Sequence, residues 1–291
     1  MKVIISLFSI ILFACTKLFS QITMESEIYL ADVRMKEGNI YFGAAKNVTN
    51  SKGYDNQPYF LNDSMMLYTH IGDDLQADIY SYYLKSKKHI NFTKTSISEY
   101  SARLTPSKDA VCVVEVEQDS TQRLWAYDLN GLNGKVLIPY FDSVGYYAWL
   151  NDSSVAAFIL TEPPSLQICS TKKKQIKTVA KNIGRCLQVS NNQLLYFTML
   201  ESDSVRWLCS MEPNGNIKRL IEFYKGVEDF VVSTHNIVFC AKGALVYYTD
   251  ENYKLGWRLC GNFEAGGITN INRIALSPDN KKMALVDVLK K

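Results

Sequence analysis

Apolar and polar positions alternate along most of the chain in short runs, and the runs come in pairs separated by tight polar turns. The pairs are clearest in QPYFLNDSMMLYTH (57–70), SARLTPSKDAVCVVEV (101–116), YYAWLNDSSVAAFIL (146–160), RCLQVSNNQLLYFTM (185–199), EDFVVSTHNIVFCA (228–241) and NRIALSPDNKKMALVD (272–287). Alternation with a period of two puts successive side chains on opposite faces, which is the pattern of strands; long helical periodicity is absent. Asn, Asp, Ser and Pro between the runs favour reversals, through a fixed φ or through side-chain bonds to nearby backbone. The apolar residues just before the turns are Leu61, Leu104, Leu150, Val189, Val232 and Leu276, at spacings of 43, 46, 39, 43 and 44 residues. This is an internal repeat.

After each pair come a polar loop and a second pair of strands: ADIYSYYL with KKHINFTKT in the first unit, RLWAYDL with GKVLIPY in the second. Four strands in about forty residues make a propeller blade. Five units run from about Gln57 to Gly267, and the tail at 270–291 adds only the two inner strands of a sixth. SEIYLADVRM and GNIYFGAAKNVT, within residues 26–49, resemble the outer pair of the first unit and are expected to complete that last blade. The predicted fold is therefore all-β: a single domain, 26–291, forming a six-bladed β-propeller of four-stranded antiparallel blades. N-terminal strands close the ring against C-terminal ones, which removes open sheet edges.

Pro58-Tyr59-Phe60-Leu61-Asn62-Asp63-Ser64 with Asp78-Ile79-Tyr80, and Leu276-Ser277-Pro278-Asp279-Asn280-Lys281, resemble the TolB-like family of β-propeller repeats. Blades of that family carry a Pro-x-Phe-Ser-Pro-Asp-Gly-Lys type of turn followed by an Ile-Tyr strand. Val189-Ser190-Asn191-Asn192-Gln193 and Val232-Ser233-Thr234-His235-Asn236 match more loosely and lack the proline. The resemblance implies a propeller that binds through its loop face and channel; the small α/β domain that precedes the propeller in TolB is expected to have no room here.

The first residues read differently. MKVIISLFSIILFACTKLFSQ has one lysine, then an apolar run from Val3 to Ala14, the length of a signal-peptide core and too short to span a bilayer. Residues 1–20 are read as a signal peptide cleaved after Ser20. The alternative is a lipoprotein signal, Leu12-Phe13-Ala14-Cys15, which would make Cys15 the lipidated N-terminus and give the membrane contact through a lipid anchor alone. Either reading exports the chain, with the periplasm or outer membrane of a Gram-negative bacterium as the expected destination.

Composition narrows the rest. With 47% hydrophobic and 21% charged residues the chain can build a core and is not of the disordered class. A net charge of only +3 argues against a nucleic-acid groove, and Lys172 to Lys174 read as a solvated turn. Export permits disulfides among Cys112, Cys169, Cys186, Cys209, Cys240 and Cys260. No pair has metal or redox spacing, and most lie in apolar runs, so buried free thiols are expected, with a single bridge between neighbouring strands as the alternative. Tyr82, Tyr146, Tyr147, Trp125, Trp149, Trp207 and Trp257 read as packing between blades, with a sugar or peptide platform as the other use.

No Gly-x-Ser-x-Gly elbow, His-Glu-x-x-His motif, EF-hand loop or phosphate-cradling glycine loop occurs in the sequence. His70, His89 and His235 fall at unrelated blade positions and are not expected to converge. No catalytic or metal-ligating set is assigned. The loops joining second and third strands carry Asp73, Asp74, Asp119, Glu162, Glu201 and Asp203, which would form an acidic rim for a cationic partner surface. Bound Ca²⁺ would suit the same rim, and the same charges would also serve solubility. The expectation is a monomeric, non-enzymatic scaffold for an envelope protein or peptide. The alternatives are a lyase- or lactonase-type propeller enzyme and a carbohydrate-binding accessory.

Overall fold

The computed structural model describes residues 25–289, so the leader at 1–20 and Cys15 lie outside the described residues. Three strands come first: β1 (Ser26–Lys36), β2 (Asn39–Phe42) and β3 (Lys46–Asn47). Four-stranded antiparallel units follow in sequence order, the first of them joined to β1 by a single parallel pairing at Ser26 and Tyr54. They are β4 (Tyr54–Asn62), β5 (Met65–Ile71), β6 (Ala77–Tyr83) and β7 (Lys88–Asn91); then β8 (Ser98–Leu104), β9 (Ala110–Val116), β10 (Gln122–Asp128) and β11 (Lys135–Val136). Next come β12 (Val144–Asn151), β13 (Ser154–Ile159), β14 (Ser165–Ser170) and β15 (Ile176–Lys181), then β16 (Ile183–Val189), β17 (Leu195–Leu200), β18 (Arg206–Met211) and β19 (Ile217–Phe223). The series continues with β20 (Phe230–Val232), β21 (Val238–Lys242), β22 (Leu245–Thr249) and β23 (Arg258–Asn262), and ends with β24 (Ile271–Leu276) and β25 (Lys282–Val288). Two 3-10 turns, Tyr253–Leu255 and Glu264–Gly266, are the helical elements of the described residues.

In four units the turn between the first two strands keeps one geometry even where its sequence has drifted, while β4–β5 and β12–β13 are joined by the two-residue turns Asp63-Ser64 and Asp152-Ser153. Lys108, Gln193, Asn236 and Asn280 each have φ near 60°. Each donates its backbone N–H to the carbonyl three residues earlier, on Thr105, Ser190, Ser233 and Ser277, at 2.8 to 3.1 Å. The left-handed position is where glycine is cheapest, and Asn tolerates it next best. The turns after Val189 and Val232, which lack proline, therefore match the one after Leu276.

β25 does not end an open sheet. Its free edge is taken by β1, antiparallel, from Ser26 opposite Val288 to Asp32 opposite Lys282, and β2 adds to β1 from Val33–Phe42 to Lys36–Asn39. The expected second N-terminal strand over 38–49 is split in two. β2 stops at Phe42, Gly43 donates its N–H to the Asp32 carbonyl at 2.9 Å, and β3 then pairs with Tyr29 and Leu30. A Cβ on Gly43 would lie 3.3 Å from Asp32 Cβ, so this close crossing favours glycine.

The continuous apolar run Met283-Ala284-Leu285-Val286 reflects burial on both faces. Met283 and Leu285 pack with Ala31, Val33, Phe239, Val246 and Phe263. Ala284 and Val286 pack with Ile28, Phe60, Met66 and Tyr68 on the other side. Leu276 is only half-buried because it lies at the end of β24, where the central cavity begins. The six described cysteines are free; five are buried and Cys260 is half-buried. Burial pushes the thiols of Cys112, Cys186 and Cys260 up to about 12, which leaves them inert as nucleophiles.

Candidate functional site

β4, β8, β12, β16, β20 and β24, the first strands of their units, supply the lining of one central cavity of about 150 Å³. Gln57, Arg103, Tyr146, Arg185, Asp229 and Arg273 are among its polar contributions, with Ser101 and Gln188 beside them. The ladder is interrupted in the middle of most of these strands: between Asn56 and Tyr59, Tyr100 and Arg103, Val144 and Tyr146, Ile183 and Leu187, and Ile271 and Arg273. A bulge re-aims the side chains around it. It also frees backbone groups, and Gln57 Oε1 satisfies one of them by accepting from the Ser101 N–H at 2.7 Å.

Arg273 crosses the cavity. Its Nη2 donates to the Tyr146 hydroxyl at 3.4 Å, its guanidinium lies 5.2 Å from the Tyr146 ring centre, and its Nε is 3.6 Å from Asp229 Oδ2. Asp229 also accepts the Ile274 N–H at 3.4 Å. Arg103 reaches the Leu187 carbonyl at 3.4 Å and lies 5.9 Å from the Tyr59 ring centre. Arg185 is 3.6 Å from Glu228, which Arg206 shares at 3.4 Å. Burial pushes the Asp229 carboxyl upward against the pull of Arg273, Arg185 and Arg103. Burial also disfavours the Arg273 cation, but Tyr146, Asp229 and Tyr54 outweigh it and hold the guanidinium charged. At Tyr54 burial dominates and raises the phenol to about 12.

The acidic loops lie at the other end of the inner strands. Tyr54, at the start of β4, pairs with Ile71, and Asp73 and Asp74 follow directly. The same relation puts Asp119 beyond Val116, Glu162 beyond Ile159, and Glu201 with Asp203 beyond Met199. The cavity instead runs toward Val232 and Leu276, at the turn end. All six rim carboxylates are exposed. The bonds they make stay within their own loops and sheets: Asp119 accepts the Thr121 N–H, Asp74 the Gln76 N–H, and Glu201 binds Trp207 and Arg219. Arg219 therefore offsets the Glu201 charge. The tail of Glu117, in the Asp119 loop, is likewise taken by Arg123 and Trp125.

Two of the three histidines lie in one sheet, each with its own partner. His70 is bonded to Asp55 at 2.7 Å and His89 to the Tyr68 hydroxyl at 2.8 Å, and both rings border the tyrosines of β5 and β6. The hydrogen bond to Asp55 raises the His70 pKa, whereas burial lowers that of His89. Both lie within the β4–β7 sheet, away from the central cavity. Among the described residues no group of three or more His, Cys, Asp or Glu is placed to hold a metal ion.

Sequence reasoning passed over Arg103, Arg185, Asp229 and Arg273. Arg103, Arg185 and Arg273 are charged residues inside inner strands and Asp229 immediately precedes one, each at most four positions before the turn anchor, and that interruption of an apolar run was the available signal.

No protein-family model matches the sequence, and neither does any curated protein. Solved structures do match in shape. One, assigned as a TolB protein from Agrobacterium tumefaciens, superposes with a TM-score of 0.69 at 11% identity, covering 92% of this chain and 100% of that one. A gluconolactonase from Xanthomonas campestris superposes at 0.63 with 7% identity, over 89% of this chain and 95% of the other. A further structure assigned as a gluconolactonase gives 0.58 with 8% identity over 93% and 95%. At such identities the likeness is one of fold: the chain has a TolB-like β-propeller fold.

Proposed function

We propose that the chain is an exported, non-enzymatic propeller of six blades, closed into a ring by β1 against β25, that binds a protein or peptide of the cell envelope. The placement of the acidic loops supports this reading: Asp73, Asp74, Asp119, Glu162, Glu201 and Asp203 all follow second strands and so project from one end of the inner strands. Rigid strands carrying free loops suit recognition. The carboxylate in the cavity lining, Asp229, is held against Arg273 and the Ile274 N–H, an arrangement suited to holding charge in place. In this reading the chain works as a monomer in the periplasm or at the outer membrane, and its partner presents a basic surface to the rim.

The test is capture of envelope proteins on the purified chain, compared with a variant carrying Asp73→Lys, Asp74→Lys and Asp119→Lys. Loss of a specific partner, with the thermal transition unchanged, is the expected outcome. If every specific partner is retained, the rim is not the recognition surface. A lactonase reading is the second, favoured by the gluconolactonases among the structures of similar shape. It predicts lactone hydrolysis by the purified chain that Asp229→Asn abolishes, and activity unaffected by that change counts against it.

A further inference from the structure

The central cavity carries more positive charge than its own groups balance. Its lining holds Arg103, Arg185 and Arg273 against Asp229. Extending the count to the next contacts adds Arg206 and Glu228, one of each sign, and the excess remains two positive charges. These cations are not solvated as surface arginines are: the Arg273 side chain is 10% exposed and that of Arg185 26%. The Nε–H groups of both are buried and stand 3.6 Å from Asp229 and Glu228, close enough for ion pairing but beyond hydrogen-bond distance. A buried guanidinium donor without an acceptor is costly, and a charge left uncompensated in a low-dielectric site costs more.

The arginines are also held in place. Arg273 stacks over Tyr146, and Arg103 lies over Tyr59. Flat guanidinium forks fixed against aromatic rings are suited to planar or tetrahedral oxygen acids, which take two parallel N–H bonds from one fork. A cavity of about 150 Å³ is roughly ten times the 10–15 Å³ that a single water needs by the same measure, which leaves room for an ion of several heavy atoms.

We propose that this cavity is a binding site for a small dianion bearing carboxylate or phosphate oxygens, held by Arg103, Arg185 and Arg273, with Asp229 setting how tightly. The proposal does not depend on the protein-binding reading, since the acidic rim lies at the opposite end of the inner strands.

Isothermal titration of the mature chain with inorganic phosphate and, separately, with succinate tests it, with chloride at matched ionic strength as the control. Saturable binding of one or both is expected at millimolar concentration or below. Phosphate alone marks a phosphate site, succinate alone a carboxylate site. Arg103→Gln should weaken binding by about tenfold or more, the effect of losing one charge-assisted hydrogen bond. Asp229→Asn should tighten it by a similar factor, because it removes the competing carboxylate. Arg273→Gln should abolish it; should that variant fail to fold, the opposite shifts in the other two still decide. No saturable heat with either anion in the wild type and in Asp229→Asn would overturn the proposal. Equal affinity in the wild type and Arg103→Gln would do so as well.

Discussion

Deleting residues 26–49 is expected to abolish the cooperative thermal transition of the whole domain. The segment supplies β1, whose seven residues from Ser26 to Asp32 pair with β25. It also places Ile28, Leu30, Val33, Met35, Ile40 and Phe42 in or against two separate core clusters. Burying a large apolar side chain contributes roughly 1.5–3 kcal/mol. Losing six, some only partly buried, removes on the order of 10 kcal/mol, comparable to the total stability of a typical domain, about 5–15 kcal/mol. The edge of β25 would also be left unpaired, inviting aggregation. Ile28→Ala, fully buried in the wild type, should cost about 2–5 kcal/mol. Tyr41→Ala, at a side chain 56% exposed in the same segment, should stay within about 0.5 kcal/mol. Circular dichroism melts measure all three. An unchanged melt after the deletion would mean that β1 is not needed to complete the last sheet.

Glu99→Gln is expected to raise stability at pH 8 and leave it nearly unchanged at pH 4. Glu99 on β8 stands directly opposite Glu115 on β9, and the two residues are 0% and 4% exposed. Burial, reinforced by Asp78 and Glu115, raises Glu99 to about 7, against hydrogen bonds from Thr95 and Thr93 that favour the ionised form. Burial likewise raises Glu115, against the bond from Tyr127. A carboxyl whose folded pKa lies above its unfolded value holds its proton more tightly in the native state. The wild type is therefore favoured below about pH 4.5 and loses stability as the pH rises through 7. The glutamine variant escapes that loss, which a shift from 4.5 to about 7 puts at about 3 kcal/mol. Denaturant midpoints across pH 4 to 8 measure it. Parallel wild-type and variant profiles over that range would refute it.

Most of the strand pattern was legible because it is local. Alternation, turn residues and the repeat spacing each reside in one stretch of chain, and the pairing of 26–35 with the tail followed from counting which unit lacked outer strands. The gap in the second N-terminal strand was harder to read, because it depends on Gly43 meeting Asp32 across β1. The cavity was hidden for a related reason. Arg103, Arg185 and Arg273 are far apart in sequence, and only the arrangement of β8, β16 and β24 around one space makes them neighbours. The loop acids were easy to see, but the cations beside them were not. Arg219 reaches Glu201 from β19, and Arg123 reaches Glu117 from β10. Charge read along a chain omits partners contributed by the next strand.

The pairing of Ser26 with Val288 also sets an order of events. Every other unit joins strands adjacent in sequence, and each can form as soon as its own residues are available. The last sheet cannot, because its third strand is made first and its second strand last. Contacts of such long sequence separation are slow to form, since a large loop must close before any contact compensates for it. While the chain waits, β1 has β2 and β3 beside it but lacks β25 on its other edge, and an unpaired apolar edge is open to pairing with another chain or to capture by a chaperone. The pairing of β1 with β25 is therefore expected to form late, and refolding yield is expected to fall as protein concentration rises.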